Sequence, residues 1–323
     1  MGDSFYPNAV WRLDGTGKGE MLPWLPGEPC PHPSPYLWVH LYYADQAVRD
    51  WLLESDLLER PLAEAMVDDE TRPRVVHHGD GLLITLRGVN LNPGAEPEDM
   101  VSIRIWIDKD KIISTRKRLL KSVKELQTML LEGVGPSSTG EFLVMLLERM
   151  TANIGQVIED LEDQMAEVEE KIVDQQIAAR QPLMILRRQA IALRRYLAPQ
   201  REAVGRLSLE RVPWMSGDDH LRLREISDEL IRHIEDLDAV RERATLAHEE
   251  ISNALSEQLN QRMFLLSVVT VIFLPLGFLT GLFGINVGGI PGADSPWGFT
   301  AFCLSIAAII TMVVYIFKRN SWL

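Results

Sequence analysis

The sequence of 323 residues predicts an α+β domain followed by long helices and by two transmembrane helices near its C-terminal end. Three observations support this fold class. Strand-like runs alternate with short helical patterns in residues 36–116. A helical pattern then continues without proline or glycine over 218–274, and two uncharged stretches of 21 residues each occupy 263–283 and 297–317. At 1.5 Å per residue each stretch gives about 32 Å of helix, enough to cross a bilayer core.

These patterns divide the chain into successive segments. We expect a cytoplasmic α/β domain over 1–140, a helical hairpin over 141–212 and a stalk helix over 213–262. A transmembrane domain over 263–323 follows, with an outer loop at 284–296 between its two spans.

Charge is distributed unevenly along the chain. Of its 46 acidic and 33 basic residues, only Asp294, Lys318 and Arg319 lie beyond residue 262, which leaves 45 acids and 31 bases in residues 1–262. This acidic part argues against nucleic acid as a partner, because binding phosphates requires a basic surface. It favours cations.

The residues flanking the two spans predict their orientation. Arg262 precedes the first span, Lys318 and Arg319 follow the second, and the loop between them has no lysine or arginine. Under the positive-inside rule, both termini lie in the cytoplasm. Residues 1–20 contain no apolar core long enough for a signal peptide, and two cysteines are too few for a disulfide framework.

The N-terminal domain shows the alternation of strands and helices. Helical patterns occupy Ala44–Leu53 and Pro61–Val67, and turns are expected near Gly79 and Gly94. We find no phosphate-binding glycine pattern, nucleophile elbow or zinc-protease helix, so neither enzymatic activity nor a bound cofactor is expected. The predicted strands are YLWVHL (36–41), RVVHH (74–78), GLLITLRGV (81–89), MVSIRIWID (100–108) and KIISTR (111–116).

Two consecutive helical segments carry opposite charge. Residues 141–176 contain ten acids and two bases, and residues 182–211 contain two acids and seven bases, with a break near Gln181-Pro182. One interpretation is an antiparallel hairpin with complementary faces. The other is two solvated faces, since exposed ion pairs contribute little.

A third helix is predicted from about Asp218 into the first span. Apolar residues recur along it every three or four positions, which is the pattern of an amphipathic helix. This apolar stripe must pack on copies of itself or on the preceding hairpin. Its positions are Leu223, Ile226, Leu230, Ile234, Leu237, Val240, Ala244, Ala247, Ile251, Leu255 and Leu259.

The first span is unusually polar for a simple anchor. It contains hydroxyl residues, small residues and a proline, Pro275, that leaves the carbonyl of Val271 without its helical donor. That carbonyl needs water in a cavity or a neighbouring helix, and close helix packing through small residues is the alternative to a pore. If the span lines a pore, several identical chains must build it. The polar and small residues are Ser267, Thr270, Gly277, Thr280 and Gly281.

The segment after the first span, Gly284-Ile285-Asn286, carries a family resemblance. It resembles the Gly-x-Asn tripeptide of the CorA superfamily of metal ion transporters, and within that superfamily the sequence is most similar to the ZntB-type zinc transporters. Further matching stretches are ETRPRV (70–75), LITLRGVN (83–90), DQQI (174–177), RRYLAPQR (194–201), RVPWMS (211–216) and FLTGLFGINVGGIPG (278–292).

The resemblance implies a homopentamer with a funnel-shaped cytoplasmic domain and a central pore lined by the first span. Gly284, Ile285 and Asn286 would form a ring at the outer mouth, where amide and carbonyl oxygens can hold a hydrated ion weakly. Either Leu266 or Ser267 would fill the gap in the series below the mouth. The pore-lining series is Asn260, Met263, Thr270, Leu274, Gly277 and Gly281.

The family further implies Zn²⁺ uptake coupled to protons across the inner membrane of a bacterium. The first span contains no His, Cys or acid, the groups that zinc prefers besides water, so a hydrated cation is expected and Ni²⁺, Co²⁺ and Cd²⁺ are further candidates. The alternatives are a magnesium-type channel closed by cytoplasmic metal, zinc efflux, and a membrane-anchored sensor. The outer loop, with Val287-Gly288-Gly289 and only Asp294 as an acid, argues against the magnesium type.

A few acids and histidines are candidate metal ligands. Glu229, His233 and Asp236 lie on one helical face, and Glu249 lies nearer the membrane, where rings of acids in an oligomer could attract cations. Asp294 is the candidate outside. A solvated helix face is the alternative for each cytoplasmic residue.

Overall fold

The computed structural model describes residues 8–24, 28, 35–173, 180–284 and 295–319. The chain divides into two compact units, one ending at His248 and the other beginning at Glu249. The predicted order of an α/β domain, long helices and two helices of membrane-spanning length is confirmed.

The first unit contains a seven-stranded sheet. Its strands are β1 (Ala9–Leu13), β2 (Gly19–Leu22), β3 (Tyr36–Tyr42), β4 (Arg74–His78), β5 (Gly81–Gly88), β6 (Val101–Ile107) and β7 (Lys111–Arg116). They are arranged in the order β2-β1-β3-β7-β6-β5-β4. β3 and β7 at the centre are parallel, and the other neighbouring pairs are antiparallel. The five strands predicted from the sequence are confirmed, whereas β1 and β2 were not predicted.

Seven helices complete the described chain. They are α1 (Gln46–Glu54), α2 (Arg60–Met66), α3 (Lys121–Glu132), α4 (Thr139–Val173), α5 (Arg180–Leu207), α6 (Gly217–Gly284) and α7 (Gly298–Arg319). α6 is continuous over 68 residues, as the unbroken pattern predicted. α5 already contains Gln181 and Pro182, because proline is tolerated in the first turn of a helix, so the break expected at these two residues does not occur there.

A buried polar group lies between the central strands β3 and β7. Arg116 Nε donates to His40 Nε2 at 2.9 Å, and His40 Nδ1 lies 2.7 Å from Ser114 Oγ. Burial, and secondly the positive charge of Arg116, lower the pKa of His40 from 6.5 to about 3. His40 is therefore neutral, with its proton on Nδ1 facing Ser114.

α4 and α6 run side by side in the same direction. Arg222 of α6 donates two hydrogen bonds to Glu148 of α4, at 2.8 and 2.7 Å, and Arg243 donates to Glu169 in the same bidentate manner. Both pairs join residues 74 positions apart, so the helices advance together over 21 residues. An offset that stays constant over three heptads is typical of parallel helices that pack with a repeat of 3.5 residues.

α5 runs antiparallel to α6. Arg194 Nε lies 2.8 Å from Asp238 Oδ1, and a Cβ added to Gly205 would lie 3.7 Å from Ser227 Oγ. Eleven residues forward along α5 thus correspond to eleven residues back along α6. These contacts fix the relative height of residues on all three helices.

The ion pairs contradict the expected complementarity between α4 and α5. Within the described ranges, no salt bridge joins these two helices; the acids of α4 pair with arginines of α6, and Arg194 of α5 pairs with an acid of α6. The physical reason is that α6 lies beside both helices. It offers arginines to the acids of α4, and it offers Asp238 to Arg194 of α5 at a matching height. The alternative of solvated faces describes the remaining charges within a single chain.

The apolar stripe of α6 changes character along the helix. In the first unit, Leu223, Leu230 and Val240 are fully buried against the chain's own helices, so this part of the stripe is not available to another copy. In the second unit, Leu255 and Leu259 are exposed. Of the two expected packing partners, the hairpin therefore accounts for the first part of the stripe only.

Candidate pore site

The second unit consists of α6 from Glu249 onward together with α7. Each helix contains a stretch long and apolar enough to span a membrane, and neither stretch is buried within the chain. The ring centroids of Phe264 and Phe317 lie 6.4 Å apart, and those of Phe283 and Phe302 lie 5.4 Å apart. The two helices are therefore antiparallel, as consecutive spans must be.

The predicted pore-lining residues share one open face of α6. They recur at alternating spacings close to 3.5 residues, once the gap at residue 267 is included. Leu274 and Met263 are 72% and 66% exposed, and a Cβ added to any of the glycines would meet nothing within 4 Å. Their role in a pore remains a prediction. The series on this face is Asn260, Met263, Thr270, Leu274, Gly277, Gly281 and Gly284.

The hydroxyl groups of this span are bonded to their own helix. Ser267 Oγ donates to the carbonyl of Met263 at 2.8 Å, and Thr270 Oγ1 donates to that of Leu266 at 2.8 Å. Each hydroxyl proton is thereby used, and the oxygen lone pairs remain free. Such oxygens can accept hydrogen bonds from the water shell of a cation.

A hollow of about 700 Å³ lies beside Pro275. Phe273, Leu274, Gly277 and Phe278 line it together with the proline. Because proline has no N–H, the carbonyl of Val271 lacks its helical donor at this level. Val271 is not among the lining residues of the hollow, so the partner of its carbonyl, water or a neighbouring helix, stays a prediction.

The residues predicted to form an outer mouth lie largely beyond the described ranges. Gly284 is the last residue of α6 and is exposed. Ile285, Asn286 and Asp294 are outside the described residues, so the proposed ring and the outer acid stay predictions.

Two of the candidate metal ligands, Glu229 and Asp236, lie close to a third, His233, on α6. His233 Nε2 lies 3.6 Å from Glu229 Oε1 and its Nδ1 lies 4.0 Å from Asp236 Oδ2, and its side chain is only 13% exposed. A Cβ added to Gly155 of α4 would lie 3.0 Å from the imidazole, so the ring packs closely on that helix. In the part of the chain that the structure describes, no three His, Cys, Asp or Glu side chains are arranged to hold a metal. Glu249 is exposed.

Sequence reasoning missed the residues that align the three long helices. These are the bidentate pairs of Arg222 with Glu148 and of Arg243 with Glu169, and the glycine that admits the ring of His233. The repeated separation of 21 residues in both members of the two pairs was the available signal.

Comparison with known families identifies the fold and its family. The model of the family described as CorA-like Mg²⁺ transporter protein matches residues 34–319. The chain belongs to the CorA-like transporter family. The resemblance inferred from Gly-x-Asn and the stretches around it is confirmed.

Named relatives of this CorA-like chain are zinc transport proteins. The zinc transport protein ZntB of Pectobacterium carotovorum subsp. carotovorum (strain PC1) is 40% identical over 318 residues, covering 97% of this chain and 95% of that protein. ZntB of Yersinia enterocolitica serotype O:8 / biotype 1B (strain NCTC 13174 / 8081) is 38% identical over 316 residues, covering 98% and 96%.

Solved structures share the architecture of the CorA-like chain. The full-length CmaX protein has a TM-score of 0.85 and 37% identity, covering 99% of this chain and 100% of that one. The CorA magnesium transporter from Methanocaldococcus jannaschii has a TM-score of 0.83 over 98% of both chains. At 20% identity, this second likeness concerns the fold alone.

Proposed function

We propose that this protein transports divalent metal cations across a membrane, with Zn²⁺ as its cargo. The observation that carries the proposal is the 40% identity to a zinc transport protein over 97% of the chain. The match is not confined to the soluble part, because an alignment of this length includes both spans. An anchored sensor would not need the exposed, small-residue face of α6.

A homopentamer is the assembly that we propose, in the form of a funnel with its pore on the symmetry axis. A single span cannot enclose a water-filled path, so identical chains must share it. The exposed face of α6 from Asn260 to Gly284 has the period needed for one helix to face an axis over its whole length. We place both termini in the cytoplasm, in the inner membrane of a bacterium.

The chemistry of the span supports passage of a hydrated ion. Between Met263 and Phe283 no side chain is a carboxylate, thiol or imidazole. Zinc held by such ligands would leave slowly, whereas oxygens that contact only its water shell bind weakly enough for conduction. Discrimination between Zn²⁺ and Ni²⁺, Co²⁺ or Cd²⁺ is therefore expected to be small.

Uptake coupled to inward proton movement is the mode that we propose. Since the span has no titrating side chain near neutral pH, the coupling groups must lie at its ends. Asp294 is the candidate outside, and Glu249 together with the Glu229, His233 and Asp236 group is the candidate inside. Efflux would use the same pore under the opposite gradient.

Transport of Mg²⁺ is the second candidate, because the matching family model is described by that ion. The outer loop has a single acid, Asp294, over 284–296. A site with so little negative charge attracts a strongly hydrated Mg²⁺ poorly. We therefore place Zn²⁺ first.

Reconstitution into liposomes tests these proposals together. Vesicles that contain a zinc-sensitive dye should brighten when Zn²⁺ is added outside, and faster with an inward proton gradient. The Asn286→Ala protein serves as the matched control, because it retains both spans.

Each outcome of this experiment addresses a separate proposal. A rate of Zn²⁺ flux that is the same with and without the proton gradient would contradict the proposed coupling to protons. Flux of Mg²⁺ without flux of Zn²⁺ would replace the first candidate by the second. No flux of any divalent ion would favour the sensor.

A further inference from the structure

One face of α4 and one face of α5 are charged and exposed, and among the described residues neither forms a salt bridge with another element. The members of each face recur every three or four positions, which places them in line along the helix. The acidic stripe of α4 consists of Asp160, Asp163, Glu167 and Glu170. The basic stripe of α5 consists of Met184, Arg188, Ile191 and Arg195.

The contacts with α6 place the two stripes at the same height. A residue of α4 is level with the residue 74 positions later on α6, and Arg194 of α5 is level with Asp238. Asp163 is therefore level with Arg195, and Glu170 is level with Arg188. An error of one residue in this alignment amounts to about 1.5 Å, well within the reach of an arginine side chain.

Among the described residues, Glu167 is the one acid of the stripe that has an ion-pair partner on its own helix, and it is level with an uncharged residue of α5. Glu167 is level with Ile191, and its carboxylate lies 3.6 Å from Lys171 one turn later on the same helix. Asp163 and Glu170 are thus level with arginines, Asp160 is level with Ala198, and the paired acid, Glu167, is level with an isoleucine.

Solvation alone explains an acidic face and does not explain the basic stripe. Met184, which precedes the two arginines, and Ile191, which lies between them, are 61% and 47% exposed. Large aliphatic side chains repeated at heptad spacing on an exposed helix face indicate a surface that another helix covers. Arginine is also the cation best suited to carboxylates across such a contact.

We propose that the acidic stripe of one copy docks on the basic stripe of the next copy around the ring. This inference rests on the proposed homopentamer and names the cytoplasmic surfaces that join its members. When the symmetry axis runs along the three helices, rotation about it keeps the height of every residue. Asp163 then meets Arg195, and Glu170 meets Arg188, of the neighbouring copy at all five contacts.

Charge reversal in the full-length protein tests the docking. Asp163→Arg with Glu170→Arg should raise the protein concentration at which half of the pentamer dissociates in detergent, by about tenfold at low salt. Arg188→Glu with Arg195→Glu should do the same. The protein with all four changes should regain wild-type assembly, because each contact again joins opposite charges.

A control variant makes the same change in net charge elsewhere. Glu54→Arg with Glu132→Arg alters exposed acids on α1 and α3 and should leave the midpoint of dissociation unchanged. The docking would be overturned if the acidic-stripe variant and the control variant dissociated at the same protein concentration. It would also be overturned if the protein with all four stripe changes assembled less tightly than either pair of changes alone. Absence of any wild-type pentamer would instead overturn the assembly in the proposed function, and with it this inference.

Cross-linking gives a second measurement that does not depend on charge. Asp163→Cys and Arg195→Cys are placed on separately tagged copies, co-expressed in a chain without its native cysteines. A short bifunctional maleimide should join the two tags several times more often than when Arg188→Cys replaces Arg195→Cys. That control lies seven residues away along α5, about 10 Å in height. Equal yields from the two combinations, in an intact pentamer, would refute the proposed register.

Discussion

The helix α6 passes through two different environments. Up to His248 its apolar residues, such as Leu230, are fully buried, and its arginines Arg222 and Arg243 pair with acids of α4. From Glu249 onward, Leu259 and Leu274 are exposed in the single chain. The first unit buries its part of α6 within the chain, whereas the second unit leaves its part exposed.

This difference separates stability from function. A residue whose contacts are all within its chain is expected to affect unfolding, because its burial contributes in every state of assembly. A residue exposed on a membrane span is expected to affect flux or assembly instead. Variants in the two regions should therefore give different readouts, and a variant that breaks this pattern would show where the regions depend on each other.

The largest expected effect is at Asn286, in the second region. Replacing Asn286 with Ala removes a ring of amide oxygens without adding bulk, and we expect zinc flux in liposomes to be abolished. Asn286→Asp keeps the oxygens and places up to five like charges around one axis, which raises their pKa values. This second variant should bind divalent metal more tightly and transport it more slowly.

Assembly provides the control for these two variants. Both should form pentamers of normal stability in detergent, because no contact of the first unit is altered. If both lose the pentamer together with flux, Asn286 caps the end of the span and is not a selectivity residue. Stable Asn286→Ala pentamers with normal flux would remove Asn286 from the pore altogether.

The next effect compares two leucines of α6. Leu230→Ala should lower the free energy of unfolding of the fragment 1–262 by about 2–5 kcal/mol, because it leaves a cavity in a packed interior. Leu259→Ala should change it by about 0.5 kcal/mol or less, since that side chain is exposed in one chain. Guanidinium unfolding followed by tryptophan fluorescence measures both.

The same fragment tests what covers Leu259. We expect fragment 1–262 to be folded and at least partly oligomeric, and Leu259→Ala to shift it towards monomer in light scattering. A compact fragment that is strictly monomeric at high concentration would contradict packing between stalk helices. It would leave the pore untouched.

Local pattern was sufficient for most of the fold. The strands β3 to β7 are rich in β-branched and aromatic residues and lie between clear turns, and α6 shows its period directly. β1 and β2 are short, and their pairing with β3 is a tertiary effect that composition does not reveal. The parallel pairing of β3 with β7 joins segments about 75 residues apart and was equally inaccessible.

Partners of charges were harder to predict than elements. The net charges of α4 and α5 are visible in the sequence, but their ion pairs are with α6, because three helices compete for the same contacts. The burial of His233 against Gly155 likewise depends on which helices meet. The proposed pore would need further chains, so its predicted residues could be placed on one face of α6 and no further.

A pH effect of intermediate size is expected in the first unit alone. The pKa of His40 is about 3 in the folded chain and 6.5 for a free histidine. Below pH 6.5 this histidine therefore binds a proton in the unfolded chain and does not bind it in the folded chain. Stability is lost as the pH falls from 6.5 towards 3. The loss approaches about 1.4 kcal/mol per pH unit. Urea unfolding at several pH values should show it.

Two variants isolate this histidine from the other acid-sensitive groups. His40→Gln should be less stable at pH 7.5 and should show a shallower decline on acidification, by about one proton. His77→Gln removes an exposed ring from β4 and controls for the loss of a histidine as such. Protein that has been exposed to acid and then refolded at neutral pH should show unchanged zinc flux, since His40 lies outside the second unit. An unchanged slope in His40→Gln would contradict the neutral buried imidazole.

The smallest effect is expected where the second unit begins. Glu249 and Glu250 are exposed in the single chain, unlike Glu148 and Glu169, whose charges arginines already engage. Rings of unpaired acids raise the local concentration of cations, so replacing Glu249 and Glu250 with Gln should lower zinc flux a few-fold at low salt. The decrease should shrink at higher salt, because the screening length falls from about 30 Å at 0.01 M to about 8 Å at 0.15 M. Glu132→Gln on α3 is the control and should leave flux unchanged at both. A decrease that is equal at both salt concentrations would mean that these two acids stabilise the helix or its contacts with other chains, and that they do not attract cations through their field.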